Sequence, residues 1–273
     1  MLTRIITGVS LALFIFLPGV IFSHTVVLNI ICSIFAAIGI YEIIKCFGQR
    51  DINLILIPSM VLGASMPILV RYTSFGDPTF IMMVLICIYT LYVFSLPVFT
   101  NNTLSFEDVS KSAIMSIYIA VGFSSIVMLR DIPDGRYLFI MAFIGAWATD
   151  IFAYFTGIFF GRHKLAPVIS PKKTIEGSIG GMILCTVCFV LYGIVLNQFL
   201  DASTNLFMYA ILGFFSSVVS QLGDLVMSAI KRKNDVKDYG TIFPGHGGVL
   251  DRFDSVIAVA PVLYLLCIGS MII

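Results

Sequence analysis

The sequence predicts an all-α, polytopic helical membrane protein with about nine transmembrane helices and a cytoplasmic N-terminus. Of the 273 residues, 59% are hydrophobic and only 11% are charged, whereas soluble domains carry about a quarter charged residues. The mean hydropathy is +1.04. A helix needs about 20 mostly apolar residues to cross a bilayer, and this chain has room for many such helices. The composition therefore excludes an ordinary soluble globular domain.

Nine apolar segments follow one another along the chain, separated by short polar connections. They span residues 5–22, 26–44, 53–70, 79–98, 113–129, 138–160, 179–196, 206–230 and 256–273. Several of them contain proline, which membrane helices tolerate where neighbouring groups satisfy the freed backbone. The segments show no convincing internal repeat, which disfavours a transporter built from inverted repeats.

The basic residues predict how these helices are oriented. With the N-terminus inside, the outer connections hold only Arg71, Arg130 and Arg136, and all other Lys and Arg residues are on the inner side. We divide the chain into N-terminal membrane helices at 1–130 and C-terminal membrane helices at 131–273. The second half carries two loops, 161–178 and 231–255, which are expected to face the cytoplasm.

The stretch 228–254 carries the longest polar run in the chain. It contains a cationic triplet, a glycine-rich turn and two spaced carboxylates, namely Lys231, Arg232, Lys233, Gly245, His246, Gly247, Gly248, Asp251 and Asp254. Glycines let backbone N–H groups approach phosphate, and carboxylates hold divalent metals. The stretch therefore predicts a phosphate-and-metal site. A basic loop that served topology alone would need neither the His-Gly-Gly turn nor the paired aspartates.

The other inner loop is also rich in cations. Lys172 and Lys173 lie between Ser170 and Thr174, just before Glu176. We interpret this run as a structured turn that enters a helix and binds phosphate oxygens. The alternative is a patch that contacts anionic lipid headgroups, to which each cation would contribute about 1 kcal/mol.

Four acidic residues lie within or at the rims of apolar segments: Glu42, Asp150, Asp224 and Asp254. A charged Asp at the centre of a membrane helix costs about 2.5–3.5 kcal/mol, so such groups usually face a polar cavity or a partner. Asp224 shares one helical face with Gln221, Ser228 and Lys231. Two structural alternatives remain open: Asp224 could form an ion pair with Lys231 or Arg232, and Glu42 could pair with nearby Lys45.

These motifs resemble the signature of the phosphatidate cytidylyltransferase, or CDP-diacylglycerol synthase, family. Every element of that signature has a counterpart here: Ser228, Ile230, Lys231, Arg232, Lys237, Asp238, Gly240, Pro244, His246, Gly247, Gly248, Asp251, Arg252 and Asp254. The resemblance extends back through residues 221–224 and through a block between Asp150 and Gly177. It covers roughly the C-terminal half, while the N-terminal helices are similar only in hydropathy.

The resemblance implies that CTP and phosphatidate react to give CDP-diacylglycerol and pyrophosphate, with Mg²⁺ required and a second cation left open. The implied catalytic residues are Asp224, Asp251, Asp254, Lys231, Arg232 and His246, of which the three aspartates are also the expected metal ligands. The implied substrate-binding residues are Asp150, Ser170, Lys172, Lys173, Thr174, Ser228, Lys237, Gly247, Gly248 and Arg252. The expected partners are the two substrates and membrane lipids, with no nucleic acid; a homodimer is left open. The implied location is a bacterial-type inner (plasma) membrane, with the active site facing the cytoplasm.

Other functions fit parts of the sequence. A CTP-dependent lipid-alcohol kinase of the dolichol or phytol type would transfer the γ-phosphoryl group instead, and an ion or solute transporter could use Asp150 and Asp224 as a coupling pair. Transporter sites lie near the membrane midplane, whereas the polar residues here cluster towards one surface. We also expect Asp224, Asp251 and Asp254 to converge on one metal, and neutralisation of Lys172 and Lys173 to raise the KM for a substrate.

Overall fold

Helices occupy eight of the nine predicted segments in a computed structural model, which describes residues 17–48, 52–71, 77–101, 103–199 and 204–270. The segment at 5–22 lies outside the described residues except for its end. The helices are α1 (Leu17–Ile21), α2 (Val27–Cys46), α3 (Ile52–Leu69), α4 (Pro78–Phe99), α5 (Phe106–Asp131), α6 (Gly135–Phe160), α7 (Ile175–Phe199), α8 (Leu206–Lys233) and α9 (Leu250–Ser270).

The described helices confirm the predicted class of integral, helical membrane protein. Within the described ranges, seven helices are long and apolar enough to cross a membrane, and a shorter apolar helix covers Asn53–Leu69. A bilayer core offers no water to backbone groups, so a chain this apolar satisfies them within helices. The total of nine and the cytoplasmic side of the N-terminus stay predictions.

Side-chain caps mark where two of these helices begin. Asp77 accepts a hydrogen bond from the Thr79 backbone N–H at 2.8 Å, and its bonds to Thr79 hold the pKa of Asp77 below its usual range. Ser105 Oγ accepts from the Asp108 N–H at 3.1 Å. Such caps replace the acceptors that the first turn of a helix lacks.

The basic run before α7 forms an antiparallel β-hairpin. Its strands are β1 (Lys164–Ala166) and β2 (Ser170–Thr174), with Lys164 opposite Thr174 and Ala166 opposite Ser170. The second strand leads directly into α7 at Ile175. The predicted structured turn is therefore a hairpin, and its strands add a small β element to the helical fold.

The described chain falls into two units. The first contains residues up to 131 together with 234–253, and the second contains 132–233 together with the residues from 254 onwards. The chain therefore passes from one unit to the other within the first turns of α9. The predicted functional division into 1–130 and 131–273 stays a prediction.

In the first unit, α2 packs against α3 and α5. The rings of Phe35, Phe123 and Phe253 meet at centroid distances of 5.1–6.3 Å, which joins α2, α5 and the start of α9. A Cβ on Gly39 would lie 2.9 Å from the Leu250 side chain. Glycine at this position lets α9 begin directly against α2.

In the second unit, α6 packs along α7, and both contact α8. Small residues permit this close approach, because a Cβ on Gly145 would lie 2.9 Å from Ser216 and one on Gly181 would lie 3.0 Å from Ala153. Glycine, alanine and serine are the residues that let membrane helices approach closely.

Candidate active site

The second unit brings a cation of the hairpin to a carboxylate of α8. Lys173 forms an ion pair with Asp224, and the two side chains are 25% and 22% exposed. Ser228 lies one turn further along α8 and donates a hydrogen bond to Asp224 Oδ1 at 3.5 Å. The hairpin strand β2 therefore supplies a cation to Asp224.

Two more carboxylates lie close to this ion pair. Asp254 is buried and interacts electrostatically with Asp224, Asp150 and Lys231. Ser255 donates to Asp150 Oδ2 at 3.4 Å through its hydroxyl, and its N–H donates to Asp254 Oδ1 at 2.8 Å. Three like charges close together repel one another, so the cluster favours a bound cation or a cationic side chain.

The donor chemistry of this cluster suits Mg²⁺, which prefers oxygen ligands and is commonly held by one or two carboxylates plus substrate phosphates. In the part of the chain that the structure describes, no three His, Cys, Asp or Glu side chains are placed to hold a metal ion together. The predicted sharing of one metal by Asp224, Asp251 and Asp254 stays a prediction.

Several contacts anchor the hairpin within the second unit. Arg232 Nε donates to the Ile169 carbonyl at 3.4 Å, which ties the turn of the hairpin to the end of α8. Thr174 is buried, and its hydroxyl accepts from the Gly177 N–H at 3.1 Å. Thr174, predicted to bind substrate, thus also caps α7.

Glu176, in the first turn of α7, is a residue to which the sequence assigned no role. Its carboxylate accepts from the Arg162 N–H at 3.0 Å and from the His163 N–H at 3.2 Å, and it contacts His163 Nδ1 at 2.6 Å. These bonds close the base of the hairpin onto the first turn of α7. Two signals in the sequence pointed to Glu176: it lies in the block between Asp150 and Gly177 that resembles the family, and it is an acid at the start of a helix, which is common in many proteins.

The first unit contains the His-Gly-Gly turn and Asp251. Asp251 Oδ2 accepts from the backbone N–H groups of Tyr239 at 2.8 Å and Gly248 at 2.9 Å. Gly245 and Gly247 have φ angles of +77° and +88°, which residues other than glycine rarely adopt. The backbone conformation of the loop therefore explains why glycine occurs at both positions. The two hydrogen bonds to Asp251 hold the loop to α9.

His246 is half-buried in the same turn. The backbone N–H of His246 donates to the Phe243 carbonyl at 2.8 Å, and the backbone carbonyl of His246 accepts from Arg252 Nε at 2.8 Å. The side-chain atom His246 Nδ1 is buried and has no hydrogen-bond partner among the described residues. A buried polar atom without a partner usually marks a place where a ligand or water binds.

Glu42 is the second residue that the sequence did not assign to the site. It is 2% exposed, and it accepts from the N–H groups of Val249 and Leu250 at 3.0 Å each. Lys45, the partner suggested by the sequence, instead contacts the hydroxyl of Tyr41 at 3.4 Å. The interpretation of a Glu42–Lys45 pair is wrong because the carboxylate faces the loop before α9.

The remaining predicted substrate-binding residues lie nearer the surface. Lys172 and Lys237 are exposed, and Ser170 is half-buried at the start of β2. The predicted site residues are divided between the two units. The second unit contains Asp150, Ser170, Lys172, Lys173, Thr174, Asp224, Ser228, Lys231, Arg232 and Asp254. The first unit contains Lys237, His246, Gly247, Gly248, Asp251 and Arg252.

Known proteins match the chain over almost its entire length. A model of the cytidylyltransferase family matches residues 2–268. The chain belongs to this family. Its relatives include the phosphatidate cytidylyltransferase of Staphylococcus haemolyticus, which is 36% identical over 269 residues that cover 98% of this chain and 99% of that protein. The enzymes of the same name from Staphylococcus epidermidis and Staphylococcus aureus are each 34% identical over 272 residues, which cover 99% of this chain and 100% of theirs.

Membership of the cytidylyltransferase family extends the resemblance beyond the C-terminal half. The sequence motifs alone covered only the region from Asp150 onwards, but the family match includes the N-terminal helices as well. The N-terminal helices also contribute Glu42 to the loop that carries the signature. The first unit therefore contains part of the signature together with the N-terminal helices.

Proposed function

We propose that this chain transfers the cytidylyl group of CTP to phosphatidate and releases CDP-diacylglycerol and pyrophosphate. The observation that carries the proposal is the Lys173–Asp224 pair beside Asp254. It combines a cation suited to phosphate oxygens with carboxylates suited to a divalent metal. This combination lies in a chain that matches cytidylyltransferases from end to end.

In the proposed reaction, an oxygen of the phosphatidate phosphate attacks the α-phosphorus of CTP. A P–O bond forms there, the bond from the α-phosphorus to the bridging oxygen breaks, and pyrophosphate leaves with the electron pair. A phosphate monoester is already ionised near neutral pH, so the attack needs no strong general base. The main barrier is the approach of two anions, which positioned cations lower.

The residues have distinct roles in this proposal. Lys173, with Lys172 beside it, binds phosphate oxygens, and His246 and the glycine turn offer hydrogen-bond donors to a phosphate. Mg²⁺, when bound, neutralises phosphate charge and orients the reacting groups. Asp224, Asp251 and Asp254 would hold the Mg²⁺ ion. Whether a second cation binds is left open.

The proposed location is the cytoplasmic face of a bacterial inner membrane. The excess of Lys and Arg in the connections on that side supports this orientation. Phosphatidate would then enter laterally from the bilayer, and CTP would enter from the cytosol. A homodimer is compatible with the proposal but is not needed for it.

The position of a radioactive label tests the reaction directly. Purified protein in detergent, supplied with phosphatidate and Mg²⁺, is expected to move label from α-labelled CTP into the lipid. With γ-labelled CTP, the label should appear in pyrophosphate and not in the lipid. A parallel reaction contains a lipid alcohol in place of phosphatidate. Transfer of the γ-label to that alcohol, with no α-label entering the lipid from phosphatidate, would establish the CTP-dependent kinase and contradict the proposal.

Substitutions of His246 test its role as a donor. His246→Gln is expected to retain more activity than His246→Ala, because Gln keeps a side-chain donor whereas Ala removes it. The measurement is kcat at saturating CTP and phosphatidate, with thermal unfolding as a check on the fold. Equal loss of kcat in the two variants, with both still folded, would contradict a donor role.

A further inference from the structure

Glu42 is far from the signature in the sequence, yet its carboxylate lies against the loop that carries it. The N–H groups of Val249 and Leu250 each donate to one of its two oxygens. These donors belong to the end of the loop and the first residue of α9, where a helix has no backbone acceptors of its own. Glu42 therefore caps α9 from another helix.

Two glycines of the signature leave space for this carboxylate. A Cβ on Gly240 would lie 2.8 Å from Glu42 Cδ, and a Cβ on Gly248 would lie 2.5 Å from the same atom. The three nearest neighbours of a Cβ at each position are all atoms of Glu42. Neither glycine is among the described glycines with a positive φ. Glycine is therefore needed at these two positions because of Glu42, and not because of the backbone conformation.

Two carboxylates together hold the loop. Glu42 accepts the N–H groups of Val249 and Leu250, and Asp251 accepts those of Tyr239 and Gly248. The loop between these donors contains the His-Gly-Gly turn. Loss of Glu42 would leave two buried N–H groups without acceptors, and the loop would have to move to satisfy them.

We infer that Glu42 is a positioning residue for the cytidylyl transfer, which holds residues 239–250 in the conformation that the reaction requires. The inference rests on the proposed function. Glu42 touches the loop backbone rather than the substrates, so its loss should reduce kcat through misplacement of the turn. A displacement of about 1 Å in a catalytic group can cost about 100-fold in rate.

Variants of Glu42 should separate this role from a general contribution to stability. Glu42→Gln keeps the size of the side chain but presents a donor to one of the two N–H groups, and Glu42→Ala removes both acceptors. Asn29→Ala is the matched control. Asn29 is equally buried in α2 and donates to the Pro67 carbonyl at 2.8 Å. It lies about 20 Å from Glu42, towards the N-terminal end of the same helix.

We expect both Glu42 variants to accelerate hydrogen exchange in peptides that cover residues 239–250 and to lower kcat about 100-fold, with a much smaller change in either KM. Asn29→Ala should lower the thermal unfolding midpoint without opening the loop or lowering kcat. Unchanged exchange in Glu42→Ala, or an opened loop with wild-type kcat, would overturn the inference.

A double substitution tests the link between Glu42 and Gly240. Gly240→Ala should open the loop in the wild-type background, but should add little in the Glu42→Ala background, because the clash then has no partner. Additive effects on exchange would contradict the inference. Hydrogen exchange is measured without substrate and does not depend on the reaction. A wild-type protein that failed to form CDP-diacylglycerol would therefore contradict the proposed reaction, while the exchange data would still test whether Glu42 holds the loop.

Discussion

Asp251→Asn is expected to lower kcat by about three orders of magnitude, the effect of losing several kcal/mol of charge stabilisation, while thermal unfolding stays close to wild type. The carbonyl oxygen of Asn can still accept from the N–H groups of Tyr239 and Gly248, which Asp251 Oδ2 accepts now. The substitution therefore keeps both bonds to the loop, removes the negative charge and puts an NH2 group in place of the second oxygen.

Two other variants complete this experiment. Asp251→Ala loses the same charge and both hydrogen bonds, so it should also lower the thermal unfolding midpoint. Asp235→Asn is the matched control, because Asp235 is exposed and has a φ of +54°, a conformation that Asn tolerates. Its kcat should equal that of the wild type.

Binding of Mg²⁺ provides a measurement that does not depend on turnover. If Asp251 helps to hold the metal, Mg²⁺ should raise the unfolding midpoint of the wild type more than that of Asp251→Asn, since a ligand stabilises the state that binds it. Near-normal kcat in Asp251→Asn would show that Asp251 serves only to hold the loop.

Lys173→Ala is expected to produce the second large effect, with kcat/KM about 100-fold lower. The substitution removes the ion-pair partner of Asp224, which interacts electrostatically with Asp150 and Asp254. It should also lower the free energy of unfolding by about 1–3 kcal/mol, a value between those of exposed and buried ion pairs. The fall in kcat/KM would be measured for CTP and phosphatidate separately.

The neighbouring cations of the hairpin provide the comparison. Lys172 is exposed next to Lys173, so Lys172→Ala should raise the KM for a substrate with little change in stability. Lys164 is exposed on β1 and lies outside the predicted site, and Lys164→Ala should leave both properties unchanged. Equal, small effects of all three substitutions on the kinetics would contradict a role in substrate binding. They would show that the cations of the hairpin only set the membrane topology or contact lipid headgroups.

Hydropathy predicted the helices because lipid leaves a spanning chain few other ways to satisfy its backbone. The boundaries were less accurate. The segment predicted at 113–129 forms a helix over Phe106–Asp131, because its first turn is polar and is begun by the cap at Ser105. A hydropathy pattern reports the part of a helix inside the membrane, and not the turns that extend beyond it.

The motif residues of the candidate site were also apparent in the sequence. Asp224, Lys173 and the turn around His246 were recognisable because charges and glycine clusters are conspicuous in an apolar chain. The glycines at 245 and 247 were required by a backbone conformation that is local to the turn. Such features depend on a few consecutive residues, so one sequence is enough to reveal them.

Only the tertiary structure decided which of these groups are partners. The sequence offered Lys231 or Arg232 for Asp224 and Lys45 for Glu42, because those cations are nearby in the chain. The packing of the chain placed Lys173 of β2 on Asp224, and it placed the N–H groups of Val249 and Leu250, rather than Lys45, on Glu42. A carboxylate inside a bundle binds the donor that packing brings to it, and that donor can belong to any element of the chain.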